Sequence, residues 1–136
     1  MQEETFFTVL GCMDGRCQEV VARFGREQFG AEFPDTITEA GLVGMLANNP
    51  SQDFLDSLKK KILISLNKHG SKGIIIDGHA ECAGDSVDDA EHKAHIKKAI
   101  AVVRSLIGPS NTPIIGVFVQ RAKDHPKNWE VHQLDS

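Results

Sequence analysis

Nowhere in the chain do eighteen apolar residues run together, the length a membrane-spanning helix needs, so no membrane role is expected. The N-terminal "MQEETFF" lacks the positive charge and long apolar stretch of a secretory signal. The expected compartment is therefore the cytoplasm, where thiols stay reduced. A basic excess is missing too: 15 Lys and Arg against 19 Asp and Glu leave a net charge of -4, with no electrostatic footprint for nucleic acid. The dense basic cluster "LKKKI" fits the wet face of a helix. Cysteine is scarce and odd in number, three residues in 136, which suits a metal site or catalysis better than a disulfide framework. Internal repeats, low-complexity tracts and linkers are absent. The length is that of one domain, residues 1–136.

What the chain does contain is an alternation of element types. "TFFTVL", Thr5 to Leu10, reads as a buried strand bounded by a turn at Gly11. Cys17, Val20, Val21 and Phe24 then recur at helical spacing, with Gly30 as the helix C-cap. A short second strand is expected around Asp35 to Thr38, ending in an Ala40-Gly41 turn. Ser51 caps a helix whose apolar face carries Phe54, Leu55, Leu58, Ile62 and Leu66 and which ends at Gly70. "GIIID", Gly73 to Asp77, is a continuous β-branched run of the kind found in parallel sheets covered on both faces. Ser86 and Asp89 stand in capping-box spacing before a long helix that ends near Gly108. Thr112 to Gln120 is a further strand, and "WEVHQL" follows Pro126 as a candidate edge strand.

Such an order predicts parallel strands joined by right-handed crossovers: a three-layer α/β/α domain with strand order 2-1-3-4 and a possible C-terminal edge strand. Sheets of this type bind ligands outside the carboxyl ends of the strands where the order reverses, here between the first and third strands. Chemistry is expected after both of them.

It is found there. "LGCMDGRC" follows the first strand and "GHAEC" the third. His79 and Cys82, three apart in one tight turn, can reach a common centre, and Cys12 arrives from the neighbouring strand end. Two thiolates and an imidazole suit tetrahedral Zn2+, and three protein ligands leave a fourth position open, as in catalytic zinc sites. Such an ion is formally neutral with its ligands, so it acidifies water less than an all-histidine zinc does and needs help from the protein. Asp14 is placed to orient that water or to become a fourth ligand in a closed form. Arg16 can hold the carboxylate in a forked pair.

Cys-x-Asp-x-Arg after the first strand and His-x-x-Cys after the third, with this element order from Phe6 to Val119, resemble the β-class carbonic anhydrases. The chain is read as a short, diverged member. The resemblance implies a zinc lyase that hydrates carbon dioxide reversibly to bicarbonate by zinc-bound hydroxide. Cys12, His79 and Cys82 would be the ligands, Asp14 and Arg16 the catalytic dyad, and the molecule a homodimer or higher homo-oligomer. Ala40-Gly41 match part of the family's pocket-bordering "RNAGG". Thr38 and Glu39 stand in place of its Arg-Asn, Ala83 in place of a glycine, and the family's N-terminal helices have no counterpart here. Alternatives are hydrolysis of COS or CS2 on the same zinc, or a zinc-holding regulatory protein without turnover.

Remaining candidates have plainer expectations. Cys17 with Arg23 has the Cys-x5-Arg spacing of phosphatase loops, but "QEVVA" lacks the glycines and free amides of a phosphate cradle, so Cys17 is expected to pack. His69 suits dipole compensation at a helix end. His92 and His95 are expected to be solvated or half-buried. Glu81 is expected to be exposed or to support the metal ligands from behind.

Overall fold

The computed structural model describes residues 3–135. Its strands are β1 (Phe6–Cys12), β2 (Phe33–Glu39), β3 (Ile74–His79), β4 (Ile114–Arg121) and β5 (Trp129–Gln133). Its helices are α1 (Gly15–Phe29), α2 (Leu42–Ala47), α3 (Gln52–Leu63) and α4 (Asp89–Ile107), with a π-helical turn at Ile64–Lys68 continuing α3. The sheet runs β2-β1-β3-β4-β5; β1 to β4 are parallel and β5 pairs antiparallel to β4. This is the expected α/β architecture and strand order, with "WEVHQ" as the edge strand.

Side-chain alternation divides the core between the two faces of the sheet. Leu10, Ile74, Ile76 and Phe118 point to one side and pack with Leu42, Val43 and Leu46 of α2, Leu58 and Ile62 of α3, and Ile96, Ala99 and Val103 of α4. Phe7, Val9, Ile75, Val117 and Val119 point to the other, against Cys17 and Val21 of α1. A β3 residue such as Ile75, fully buried, would cost about 2–5 kcal/mol if cut to alanine.

Several boundaries differ from the sequence reading for identifiable reasons. β1 does not turn at Gly11 but runs on to Cys12. Glycine is required at 11 because the Asp77 carboxylate occupies the space a Cβ would take, only 2.0 Å from it. β2 is longer than expected and β3 reaches His79, so the proposed ligands at 12 and 79 are the last residues of their strands. Helix α2 was not anticipated, being too short to show a period. The cap of α4 is Asp88, whose Oδ1 accepts from the Glu91 amide at 2.8 Å; Ser86 lies upstream of it. The Ser51 cap of α3 and the Gly30 cap of α1 stand as read.

One feature of the register positions the site. β1 and β2 pair through Cys12↔Glu39, and β3 and β4 through His79↔Val119. Between β1 and β3, pairing stops at Leu10↔Ile76. The sheet therefore parts at the carboxyl ends of its two central strands.

Candidate metal centre

The parting brings three soft or borderline donors together. Cys12 Sγ and Cys82 Sγ are 3.9 Å apart, and they and a ring nitrogen of His79 all lie within 4.8 Å of one another. Cys12, His79 and Cys82 are each buried. His79 Nδ1 faces the Ala80 carbonyl oxygen at 2.8 Å, which makes Nδ1 the protonated nitrogen and leaves the Nε2 lone pair free. That Nε2 is buried and has no hydrogen-bond partner. An orphaned buried acceptor normally costs about 1–3 kcal/mol, so an imidazole held this way fits a metal ligand.

The thiols are prepared unequally. Burial would raise Cys12, but the neighbouring His79 ring and the amides of Gly41 and Asp14 outweigh it and bring the thiol down to about 7. The Gly41 amide donates to Cys12 Sγ at 3.4 Å. Burial and the adjoining Cys12 push Cys82 up to about 11, although the nearby amides of Asp85 and Gly84 favour its thiolate. One thiol is thus ready to ionise near neutrality, and the second ionises only with a cation beside it. The donor set fits Zn2+ in chemistry and in spacing.

Asp14 and Arg16 lie at the start of α1. Asp14 is the helix cap: its Oδ1 accepts from the Arg16 amide at 2.9 Å and from Arg16 Nε at 3.0 Å, and its Oδ2 accepts from an Arg16 terminal nitrogen at 2.8 Å. The pair is forked, and Arg16 holds the Asp14 carboxyl down to about 2. Asp14 Oδ2 is 3.9 Å from His79 Nε2, facing the same space as the ligands. Gln18 Nε2 donates to the carbonyls of Cys12 and Asp14 at 2.9 and 3.0 Å, fixing the turn between strand and helix.

Comparison with known proteins now bears on this geometry. The sequence profile of the family described as "Putative carbonic anhydrase" matches residues 2–135. The chain belongs to that family. No curated protein matches it in sequence. Among solved structures it is similar in fold to the β-carbonic anhydrase CafA of Aspergillus fumigatus, with a TM-score of 0.61 at 16% identity over 98% of this chain and 76% of that one. The carbonic anhydrase of Streptococcus mutans gives 0.59 at 16% identity, covering 99% and 86%. β-carbonic anhydrase isoform I of Trichomonas vaginalis gives 0.57 at 20%, covering 98% and 85%.

Within this carbonic anhydrase fold, Arg121, Trp129 and Asp77, which the sequence reading did not select, join the site beside Glu81, which it did. Glu81 is exposed, with a left-handed φ of 60°, and its carboxylate receives Arg121 at 2.8 and 3.1 Å and approaches Arg16 at 3.6 Å. Both guanidiniums lie over the Trp129 ring, at 4.6 and 4.7 Å from its centroid. Glu81 therefore braces the arginine and not the metal ligands. Asp77, 3% exposed, accepts from the Cys12 amide at 3.4 Å, and burial pushes its carboxyl up to about 7.

His92 and His95 depart most from expectation: both are buried, 2% and 7% exposed, with Asp85 between them. A signal for this was present. His92 and His95 share the helical stripe of Ile96, Ala99 and Val103, the buried face of α4. Elsewhere the readings hold: Cys17 is packed in the core, and Lys59, Lys60 and Lys61 are exposed; the family departures Thr38, Glu39 and Ala83 are found at the surface. His69 caps the π-helical turn, its Nδ1 2.7 Å from Asp35 Oδ2 and its ring stacked on Phe6.

Proposed function

We propose that this protein hydrates carbon dioxide reversibly to bicarbonate, with a zinc ion held by Cys12, His79 and Cys82. The observation that carries the reading is the buried, unpartnered Nε2 of His79 meeting two cysteine sulfurs beside a carboxylate forked to an arginine. Zn2+, when bound, supplies the Lewis acidity that makes a water nucleophilic near neutral pH.

The remaining work falls to the chain. Asp14 Oδ2 accepts a hydrogen from the attacking water and so aims its lone pair at the carbon of CO2. A carboxylate held at about 2 stays ionised through neutral pH and remains an acceptor throughout. Arg16 fixes its direction, and Glu81 and Trp129 fix Arg16 in turn. A non-catalytic zinc protein would need Asp14 turned toward the metal and away from Arg16. Both Asp14 oxygens are instead engaged by Arg16, which favours turnover.

In the same reading the chain acts as a single domain, in the cytoplasm, where Cys12 and Cys82 remain thiols. Among the described residues no helix is long and apolar enough to cross a membrane. A homo-oligomer accords with the tetrameric β-carbonic anhydrases of Sordaria macrospora, which share the fold at a TM-score of 0.51 and 16% identity. Stopped-flow CO2 hydration by the zinc-loaded protein, across roughly pH 6.5–9 to bracket the ionisation of metal-activated water, is the test. A zinc-dependent rate is expected; none at any pH in that window would overturn the reading.

A further inference from the structure

Where β1 and β3 part, the backbone groups that would have met across the ladder need other partners. β3 is paired to β1 only through Ile76, so the amide of His79 has no strand on that side. It donates instead to a side chain, His92 Nε2, at 3.1 Å in a fully buried position. The contact demands space: a Cβ on Gly78 would lie 2.5 Å from His92 Nε2, so glycine at 78 lets the ring reach the strand.

Accepting that hydrogen bond settles the tautomer of His92. Nε2 offers its lone pair, so the neutral ring carries its hydrogen on Nδ1. His92 Nδ1 lies 2.8 Å from Asp85 Oδ2, close but off the line of a good hydrogen bond. The same oxygen faces His95 Nδ1 at 2.6 Å. A metal ion shared by Asp85, His92 and His95 would need the Nδ1 lone pair of His92, which would put the hydrogen on Nε2 and break its bond with the His79 amide. The trio is therefore tied to the strand through the His92 ring and to Asp85 through His95, an arrangement that does not suit a second cation.

Asp85 is tied to the other ligand as well. Its own amide and that of Gly84 lie close enough to the Cys82 sulfur to favour its thiolate against burial. Helix α2 closes over its carboxylate: a Cβ on Gly44 would lie 2.4 Å from Asp85 Cγ. One residue thus meets the Cys82 turn through its backbone and, through the His92 ring, the end of the strand that carries His79.

We propose that Asp85 and His92, supported by His95, are positioning residues that hold the His79 amide and the Cys82 turn in place and thereby set the metal affinity of the centre. The proposal rests on the zinc reading above, and it goes beyond that reading by placing the control of affinity in a loop and a helix that contribute no ligand. Partners of this kind, one bond removed from a metal ligand, typically govern about 10–100-fold in affinity.

The test uses the full chain and three variants: His92→Ala, His92→Gln, whose side-chain carbonyl can still accept from the His79 amide, and Asp85→Asn. Three quantities are read: Zn2+ affinity by competition with a chromophoric chelator, the visible spectrum of the Co2+-loaded protein, and hydrogen exchange at the His79 amide in metal-stripped protein. His92→Ala is expected to weaken Zn2+ binding about 10–100-fold, to shift the Co2+ bands and to speed exchange at His79 selectively. His92→Gln is expected to recover most of the affinity and the protection. Should His92→Ala fail to fold, Asp85→Asn, nearly isosteric, decides alone, with a loss of at least about fivefold expected. Wild-type protein that binds zinc, with variants within about threefold of it and the His79 amide equally protected, would overturn the proposal. Wild-type protein that binds no zinc would instead overturn the metal reading and the affinity claim with it, leaving selective exchange at His79 to decide the contact alone.

Discussion

Cys12, His79 and Cys82 at the strand ends, and Asp85, His92 and His95 beside them, are alike in size and burial, each bringing three donor atoms within 4.8 Å of one another. Their hydrogens differ. In the first group the ring hydrogen points away, to the Ala80 carbonyl, and both thiols can give up their protons, so three lone pairs can turn to a common cation. In the second, the Nδ1 atoms of His92 and His95 lie 2.8 and 2.6 Å from one Asp85 oxygen, and the His92 ring already spends its Nε2 lone pair on the His79 amide. Residue types and distances alone do not separate a cation site from a hydrogen-bonded brace. The position of each hydrogen, set by a partner outside the cluster, does.

This contrast can be broken most sharply at the first cluster. Cys82→Ser or His79→Ala should lose stoichiometric zinc. A quarter share of the roughly 10–16 kcal/mol typical of a structural zinc site is about 2.5–4 kcal/mol, a loss in affinity of about 70- to 900-fold. Metal analysis after dialysis checks it, and either variant holding zinc as the parent does would refute the ligand set. Next comes Asp14→Ala, outside the coordinating trio. It should keep its zinc and lose about 10²–10⁴ of the CO2 hydration rate. Unchanged turnover in the stopped flow would remove Asp14 from the mechanism.

A third expectation concerns stoichiometry and pH. Titration should show one zinc per chain, not two, with His95→Ala leaving the count unchanged; a second equivalent would collapse the distinction drawn above. Protons compete for the thiols, so affinity falls as pH falls. At a pH of about 8, above the Cys12 value of about 7 and below the Cys82 value of about 11, zinc uptake should release about one thiol proton; near pH 6 it should release about three, two from the thiols and one from His79, which its neighbours hold above the ordinary imidazole range despite burial. Calorimetry in buffers of different ionisation enthalpy measures the number. The smallest effect is expected at the rim. Glu81→Gly relieves a left-handed backbone but removes the carboxylate that pairs with Arg121 and Arg16. These oppose one another, and the melting temperature should move by less than about 3 °C.

How far the sequence carried depends on whether a residue's role was local. Strand order and the meeting of Cys12, His79 and Cys82 followed from a β-branched run, two amphipathic helices and two short motifs, because parallel topology makes the ends of β1 and β3 neighbours. Asp88 in place of Ser86 was a choice between two overlapping cap patterns, settled by which side chain meets the amide three residues on. The burial of His92 and His95 was visible in the period of α4 but was overridden by the usual exposure of histidine. Asp85, Arg121 and Trp129 were out of reach for another reason: each matters only through a residue distant in sequence or a backbone group, and neither leaves a spacing to read.

The short pairing between β1 and β3 has a mechanical side. The β1–β2 ladder and the β3–β4 ladder run to Cys12 and His79 at the ends of β1 and β3, while three residue pairs join the two halves. The sheet resembles two stiff plates seamed at one end and unstitched at the other. Cys12 sits on the first plate, and His79 and Cys82 travel with the second. An ion bound by all three would rivet the open end, so the breathing of the seam and the occupancy of the centre are one equilibrium.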